Sequence, residues 1–239
     1  AASARLGTDA AFDEGQMKIG RRLANKLLNA GRFALSFELP AGVTEVTEPV
    51  DQAMFAALRE VVESATKAFD GYDHIKALET TETFFWTFTD DYLELVKERA
   101  YGNSGQSAQE IGSAVIALRE ALAILVRLFA PFIPFAAEEV WSWWQQGSVH
   151  LSPWPTPSEI QFQDPAIMKI ASTALVQIRK SKSDAKLSMK AEIKTATLTG
   201  VKELELIAED LKSVGKIAEL KLLIGNEFAL SDLEFATEE

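Results

Sequence analysis

A chain of 239 residues with 47% hydrophobic content has apolar material for a sizeable core, divided between two domains. Its 24 Lys+Arg stand against 35 Asp+Glu, and the resulting net charge of −11, taken alone, argues against indiscriminate binding to nucleic acid or anionic membranes. Cysteine is absent, which excludes disulfides, thiolate zinc sites and cysteine nucleophiles and is compatible with a reducing cytoplasm.

In chain order, Ala1-Ala2-Ser3-Ala4-Arg5 carries no initiator Met and no charged-then-apolar leader, so residues 1–12 read as the end of a connection inside a longer protein. The spacing predicts a first helix over 13–37, with Ile19, Leu23, Leu27, Ala30 and Ala34 on its apolar stripe. Pro40, Gly42 and the Thr/Glu-rich stretch to Pro49 form a loop. A second helix runs to about Phe69, and Asp70-Gly71 breaks it. The third covers 72–99 and is unusually aromatic; Phe85, Phe88, Tyr92 and Val96 share a face that belongs in a core.

After the turn at 102–105, a fourth helix carries Ile111, Val115, Leu118, Leu122, Leu125 and Phe129 by threes and fours. Pro131 ends it and Pro134 opens a short helix through Trp144. The apolar stretch 121–137 is interrupted by Arg127, Pro131 and Pro134, too short and too broken for a membrane span. Of Trp141, Trp143 and Trp144, which cannot all face one way, some are expected against Trp154. An antiparallel helix bundle is the economical fold for 13–160, with the Pro-rich 149–157 as connector. Residues 161–239 read as a small α+β module: a helix over 165–183, alternation at Ile193, Thr195, Thr197 and Thr199, a helix over 202–211, and two strands joined as a hairpin at Gly225-Asn226.

Two histidines, His74 and His150, limit the chemistry, and the residues three before them, Gly71 and Gly147, exclude a Glu-x-x-His metal motif. No phosphate-cradling or nucleophile-elbow motif occurs. Asp90, Asp91, Glu94 and Glu98 lack a nearby ligating His and read as a solvated acidic edge rather than a metal or hydrolytic site.

The net charge conceals a local reversal. Residues 1–36 hold six basic and three acidic side chains (+3), and residues 169–194 hold seven basic and two acidic (+5), leaving −19 elsewhere. Two basic segments on an acidic body suit a selective polyanion partner. On the first helix, at ~100° per residue, Lys18, Arg22, Lys26, Asn29 and Phe33 fall in one stripe with Asn25 and Arg32 on its flanks. Cations, amides and a ring in line suit unpaired RNA: charges hold phosphates, amides meet base edges and the ring stacks a base. The competing reading is an ordinary solvated face with one Phe tucked into a neighbour. The Arg179-Lys180-Ser181-Lys182-Ser183 run is a basic helix end able to touch RNA backbone, or a solvated charge run.

Together the segments resemble one family. Arg21-Arg22-Leu23-Ala24-Asn25-Lys26-Leu27-Leu28-Asn29-Ala30-Gly31-Arg32-Phe33 resembles the first anticodon-domain helix of bacterial valyl-tRNA synthetases. Glu82-Thr83-Phe84-Phe85-Trp86 through Asp91-Tyr92-Leu93-Glu94-Leu95-Val96-Lys97 is similar to their second signature, and Ala130-Pro131-Phe132-Ile133-Pro134-Phe135 through Trp141 to one shared with isoleucyl and leucyl enzymes. Ser148-Val149-His150-Leu151 with Trp154-Pro155 follows, while Gly7-Thr8-Asp9 and Ile178–Ser183 point to the valyl branch. The resemblance implies a domain that docks the anticodon loop of the tRNA for valine, with Lys26 and Arg32 contacting phosphate or base edges, Phe33 stacking and Leu93 forming an apolar wall; Arg22 and Asn29 join them from the stripe. Gly15 and Gln16 stand where some relatives have a basic-aromatic pair.

The same resemblance implies a parent enzyme that attaches valine to its tRNA with ATP and Mg²⁺ in a separate catalytic core. These residues would need no cofactor and would not aminoacylate alone. The partners it implies are the tRNA for valine and the rest of the synthetase chain, in a cytoplasmic monomer without membrane contact. The alternatives are the equivalent domain of an isoleucyl or leucyl synthetase, or a helical adaptor with no RNA role.

Overall fold

The computed structural model describes residues 13–103 and 105–236. The segment 1–12, with the Gly7-Thr8-Asp9 signature, and Ser104 of the predicted turn lie outside the described residues.

Helix α1 (Glu14–Leu35) opens at Asp13, whose side chain accepts the Gly15 N–H at 2.7 Å. It buries Leu23, Leu27, Ala30 and Ala34, whereas Ile19, predicted on that stripe, is 52% exposed because the first turns reach past the bundle. Helix α2 (Pro49–Asp70) starts with Pro at its first turn, where the missing N–H is no loss. Asp73 caps α3 (His74–Thr87), which passes through a π-helical turn, Phe88–Tyr92, into α4 (Leu93–Tyr101). The predicted third helix is therefore one rod with an inserted residue. Phe85, Phe88, Tyr92 and Val96 are fully buried along it, as their shared face requires. Gly102, at φ +70°, ends the rod in the left-handed conformation that favours glycine.

A Ser107–Glu110 capping box starts α5 (Ala108–Phe129), the most deeply buried helix, and Pro134 opens α6 (Pro134–Ser142). The α1–α6 crossing depends on a glycine: a Cβ at Gly31 would sit 2.7 Å from Val140 Cγ1 and 3.2 Å from Trp143 Cζ3. Trp141 packs on Trp144, while Trp154 stands edge-on to Phe69 and donates to Thr66 Oγ1 at 2.9 Å. The connector is thereby fastened to α2 rather than to the tryptophans of α6. No described helix is long and apolar enough to cross a membrane.

Helix α7 (Ala166–Asp184) lies against α2 and leads to β1 (Ile193–Gly200), a 3-10 segment (Lys202–Ile207), α8 (Ala208–Gly215), β2 (Ile217–Ile224) and β3 (Ala229–Phe235). The sheet order is β2-β1-β3, with β1 parallel to β2 and antiparallel to β3. The expected β2–β3 hairpin is therefore not formed. Ile193, Ala196, Thr197 and Leu198 are buried from both sides, so β1 takes the centre and the two more exposed strands flank it. Residues 225–228 carry the chain across the end of β1, where Gly225 N–H donates to Gly200 O.

Bundle and module share one buried ionic network. Arg99 donates to both oxygens of Asp51 at 2.9 Å and to both of Asp210, on α8, at 3.0 and 3.1 Å. Its remaining N–H reaches Glu110 O at 3.1 Å, so all five guanidinium donors are used. Asp51 also accepts from Tyr92 at 2.8 Å and Ser113 at 2.6 Å. Burial and the adjacent Asp51 raise the Tyr92 hydroxyl well above the ordinary tyrosine range. Burial works against the Arg99 charge, but Asp51 and Asp210 outweigh it and raise its pKa. For Asp210, burial prevails over Arg99 and pushes the carboxyl up to about 6.

Candidate nucleic-acid interface

The basic stripe of α1 meets the α3–α4 rod along two adjoining grooves. The first, of about 440 Å³, is lined by Lys18, Arg21, Arg22, Asn25, Lys26 and Asn29 of α1 with Trp86 and Asp90 opposite. Arg22 lies over the Trp86 ring at 4.9 Å and Lys26 at 5.7 Å, so the indole face fixes two cations at the groove edge. Four basic side chains against one carboxylate leave this groove strongly positive.

The second, of about 380 Å³, holds Lys26, Asn29, Ala30 and Phe33 on one side and Leu93, Lys97 and Tyr101 on the other. Its two lysines are matched by Glu94 and Glu98, so its lining carries no net charge. The Phe33 ring meets Phe37 edge-on at 4.9 Å and Tyr101 at 6.2 Å. Phe33 is half-buried, while Tyr101 is 53% exposed. The ring at 33 is thus both tucked into neighbours and open on one side, which combines the two readings left open by spacing.

The π-helical turn decides how the rod presents its carboxylates. Asp90 accepts from Lys26 Nζ at 2.7 Å, and Asp91 accepts from Arg179 Nη1 at 2.6 Å. Arg179 Nη2 also donates to the Asp90 carbonyl. The inserted residue lets neighbouring side chains face α1 and α7 at once, as such turns often do at functional sites. The predicted solvated acidic edge is therefore partly an ion-paired seam. Among the described residues no group of three or more His, Cys, Asp or Glu is placed to hold a metal ion.

Lys26, Asn29, Phe33 and Leu93 come together in the second groove, and Arg22 joins Lys26 and Asn29 in the first. Arg32 lies elsewhere: its guanidinium is 5.6 Å from the Trp143 ring, on the α6 side of α1. In the second basic segment, Arg179 is held by Asp91, and Lys182 is 1% exposed, which excludes it from a solvated run. Sequence reasoning did not single out Tyr101, Trp86 or Lys97. Trp86 and Lys97 sit within the segment that resembles the second signature, but nothing local to Tyr101 marks it as a wall of this groove.

Two adjoining grooves of this kind divide the labour of single-strand recognition. A neutral slot with aromatic and amide walls suits a base, and a cationic trough beside it suits the backbone that carries the base. The Lys26–Asp90 pair sits where the two meet, so any anion entering there would compete with a carboxylate for the lysine.

Residues 51–197, more than half of the chain, match the family model described as the anticodon-binding domain of tRNA ligase. The match begins in α2, so Lys26 and Phe33 lie outside it. A valine–tRNA ligase of Leifsonia xyli is 51% identical over 245 residues, covering 98% of this chain and 28% of its own length. That of Thermobifida fusca is 52% identical over 229 residues, covering 92% and 26%. That of Cutibacterium acnes is 46% identical over 239 residues, covering 98% and 28%. The chain thus spans little more than a quarter of these relatives and matches them across nearly all of itself. It belongs to the family of anticodon-binding domains of tRNA ligases.

Proposed function

We propose that this chain reads the anticodon loop of the tRNA for valine, as the anticodon-recognition part of a valine–tRNA ligase. The observation that carries the reading is the pairing of the neutral groove at Asn29, Phe33, Leu93 and Tyr101 with the cationic groove at Lys18, Arg21 and Arg22. Anticodon bases enter the first, where Phe33 and Tyr101 offer ring faces and edges, Leu93 an apolar wall and Asn29 an amide. The loop backbone follows the second, and Lys26 exchanges Asp90 for a phosphate or base edge. Arg32, on the far flank of α1, serves the RNA only where the loop wraps past the groove.

In this reading, residues 13–160 are the RNA-docking bundle and 161–239 a module that buttresses it. ATP-dependent attachment of valine, with Mg²⁺, belongs to a catalytic core outside these residues, in a cytoplasmic and monomeric enzyme. The names and identities of the relatives favour valine over isoleucine or leucine. The test is a titration of the chain with anticodon stem-loops for valine, isoleucine and leucine. Tighter binding of the valine loop is expected. Equal affinities refute the valine assignment, and no binding at low salt refutes RNA recognition in favour of a helical adaptor.

A further inference from the structure

A third cleft, of about 530 Å³, lies where the α+β module meets α4. It shares Glu94, Lys97 and Glu98 with the base-sized groove, so the outer face of α4 is a wall common to both. Lys97, Arg179, Lys182, Lys190 and Lys216 line it against only two carboxylates, Glu94 and Glu98. Lys97 is paired with Glu94 and Arg179 with Asp91. Among the described residues no carboxylate is paired with Lys182, Lys190 or Lys216.

The buried ammonium of Lys182 organises this cluster. It donates to Met189 O at 3.0 Å and Gly215 O at 2.8 Å, the carbonyls immediately before Lys190 and Lys216. One side chain thus fastens the 185–190 loop and the end of α8 together and brings two further lysines to the cleft. Two of its three donors are used on these carbonyls, and Lys182 itself lines the cleft. Burial and the Lys216 charge depress the Lys182 pKa, as expected for a cation with no anion at hand. Lys216 itself is held at φ +49°, in the left-handed region, at a position where glycine would be less strained. Converging cations and a buried unneutralised ammonium disfavour the unliganded cleft, and an anion relieves both.

We propose that this cleft receives a backbone phosphodiester of the same RNA whose anticodon bases occupy the α1–α4 groove, with Lys190 and Lys216 touching the phosphate and Lys182 as the group that positions them. The inference rests on the proposed anticodon reading and extends the RNA footprint across α4 onto the α+β module. A phosphate-binding lysine is indifferent to base identity, so the cleft strengthens binding without adding specificity.

The experiment compares the 239-residue chain with Lys190→Gln, Lys216→Asn and their double variant, each checked for native circular dichroism. Asn tolerates the left-handed backbone at 216, so the fold is kept. Affinity for valine and isoleucine anticodon stem-loops is measured between low and moderate salt. Each lysine neutralised should reduce the log–log salt slope by roughly 0.7 and weaken binding about fivefold at ~0.1 M salt, equally for both loops. Native-like variants with unchanged affinity and slope overturn the inference and leave the anticodon reading intact, provided Lys26→Ala still weakens binding. Wild-type chain that binds neither loop overturns both. Inorganic phosphate alone separates the remaining source: if it shifts the amide resonances of Lys190 and Lys216 while the variants bind RNA normally, the cleft takes a free anion and the RNA assignment fails.

Discussion

Replacing Asp210 with Asn removes the carboxylate that joins the α+β module to the bundle but keeps an oxygen able to accept from Arg99. Burial pushes the Asp210 carboxyl up to about 6, against an ordinary 3.8, in a site also faced by Asp51, Glu48, Arg99 and Glu110. Because the folded state holds this proton more tightly than the unfolded chain, the group favours folding at low pH, and that contribution is lost as pH rises from 3.8 through 6. At ~1.36 kcal/mol per pH unit, the wild-type chain loses about 2 kcal/mol between pH 4.5 and 7 through this group alone. The Asn variant has no such proton, so its stability relative to wild type should rise by about 2 kcal/mol over the same interval. Urea denaturation of both proteins at the two pH values measures this difference, in which titrations common to both cancel. A relative stability independent of pH, or one that moves the other way, refutes the raised Asp210 value and with it the dominance of burial over Arg99.

The other end of the network responds differently: Asp51→Ala strips Arg99, Tyr92 and Ser113 of their shared acceptor and should cost about 3–5 kcal/mol, read as a lower denaturation midpoint. Gly31→Ala drives a methyl to 2.7 Å from a methyl of the fully buried Val140 and should destabilise by ~1–3 kcal/mol in thermal melts. Tyr101→Ala removes a wall of the base-sized groove and should weaken anticodon stem-loop binding by ~1–3 kcal/mol with little change in salt slope; an unchanged affinity removes Tyr101 from the site. Lys26→Ala should cost ~1–3 kcal/mol of RNA binding where the lysine reads a base, whereas Asp90→Asn, which frees that lysine, should tighten binding most at low salt. Weaker binding by Asp90→Asn contradicts the competition between carboxylate and phosphate.

The acidic surplus takes on a more specific meaning in the folded chain. Part of it lies at the ion-paired seam of the α3–α4 rod, where Asp90 holds Lys26 and Asp91 holds Arg179. On the proposed anticodon reading, an RNA that cannot displace Asp90 would gain nothing from that lysine, and the pairing would act as a selectivity device rather than a uniform repulsive coat.

Helix periodicity was readable directly from residues. The α5 stripe, Pro134 at a helix start and the Phe85-Phe88-Tyr92-Val96 face all act within a few residues, and local sequence encodes what local hydrogen bonding and one-sided burial require. The α1 stripe was legible for the same reason, and so were Lys26, Asn29 and Phe33 as neighbours on one face. Distance along the chain hides the rest. Lys26 finds Asp90 64 residues away, and the partner rings of Phe33 include Tyr101 at the end of another helix. Arg32, Arg179 and Lys182 carry the same charge in sequence, yet one lies against Trp143, one is held by Asp91 and one is buried on two carbonyls. A side chain's charge is a property of its residue type. Its pairing, burial and access to a ligand belong to the neighbours that packing supplies, and the same holds for strand order, where burial on both faces put β1 at the centre and overruled the turn at Gly225-Asn226.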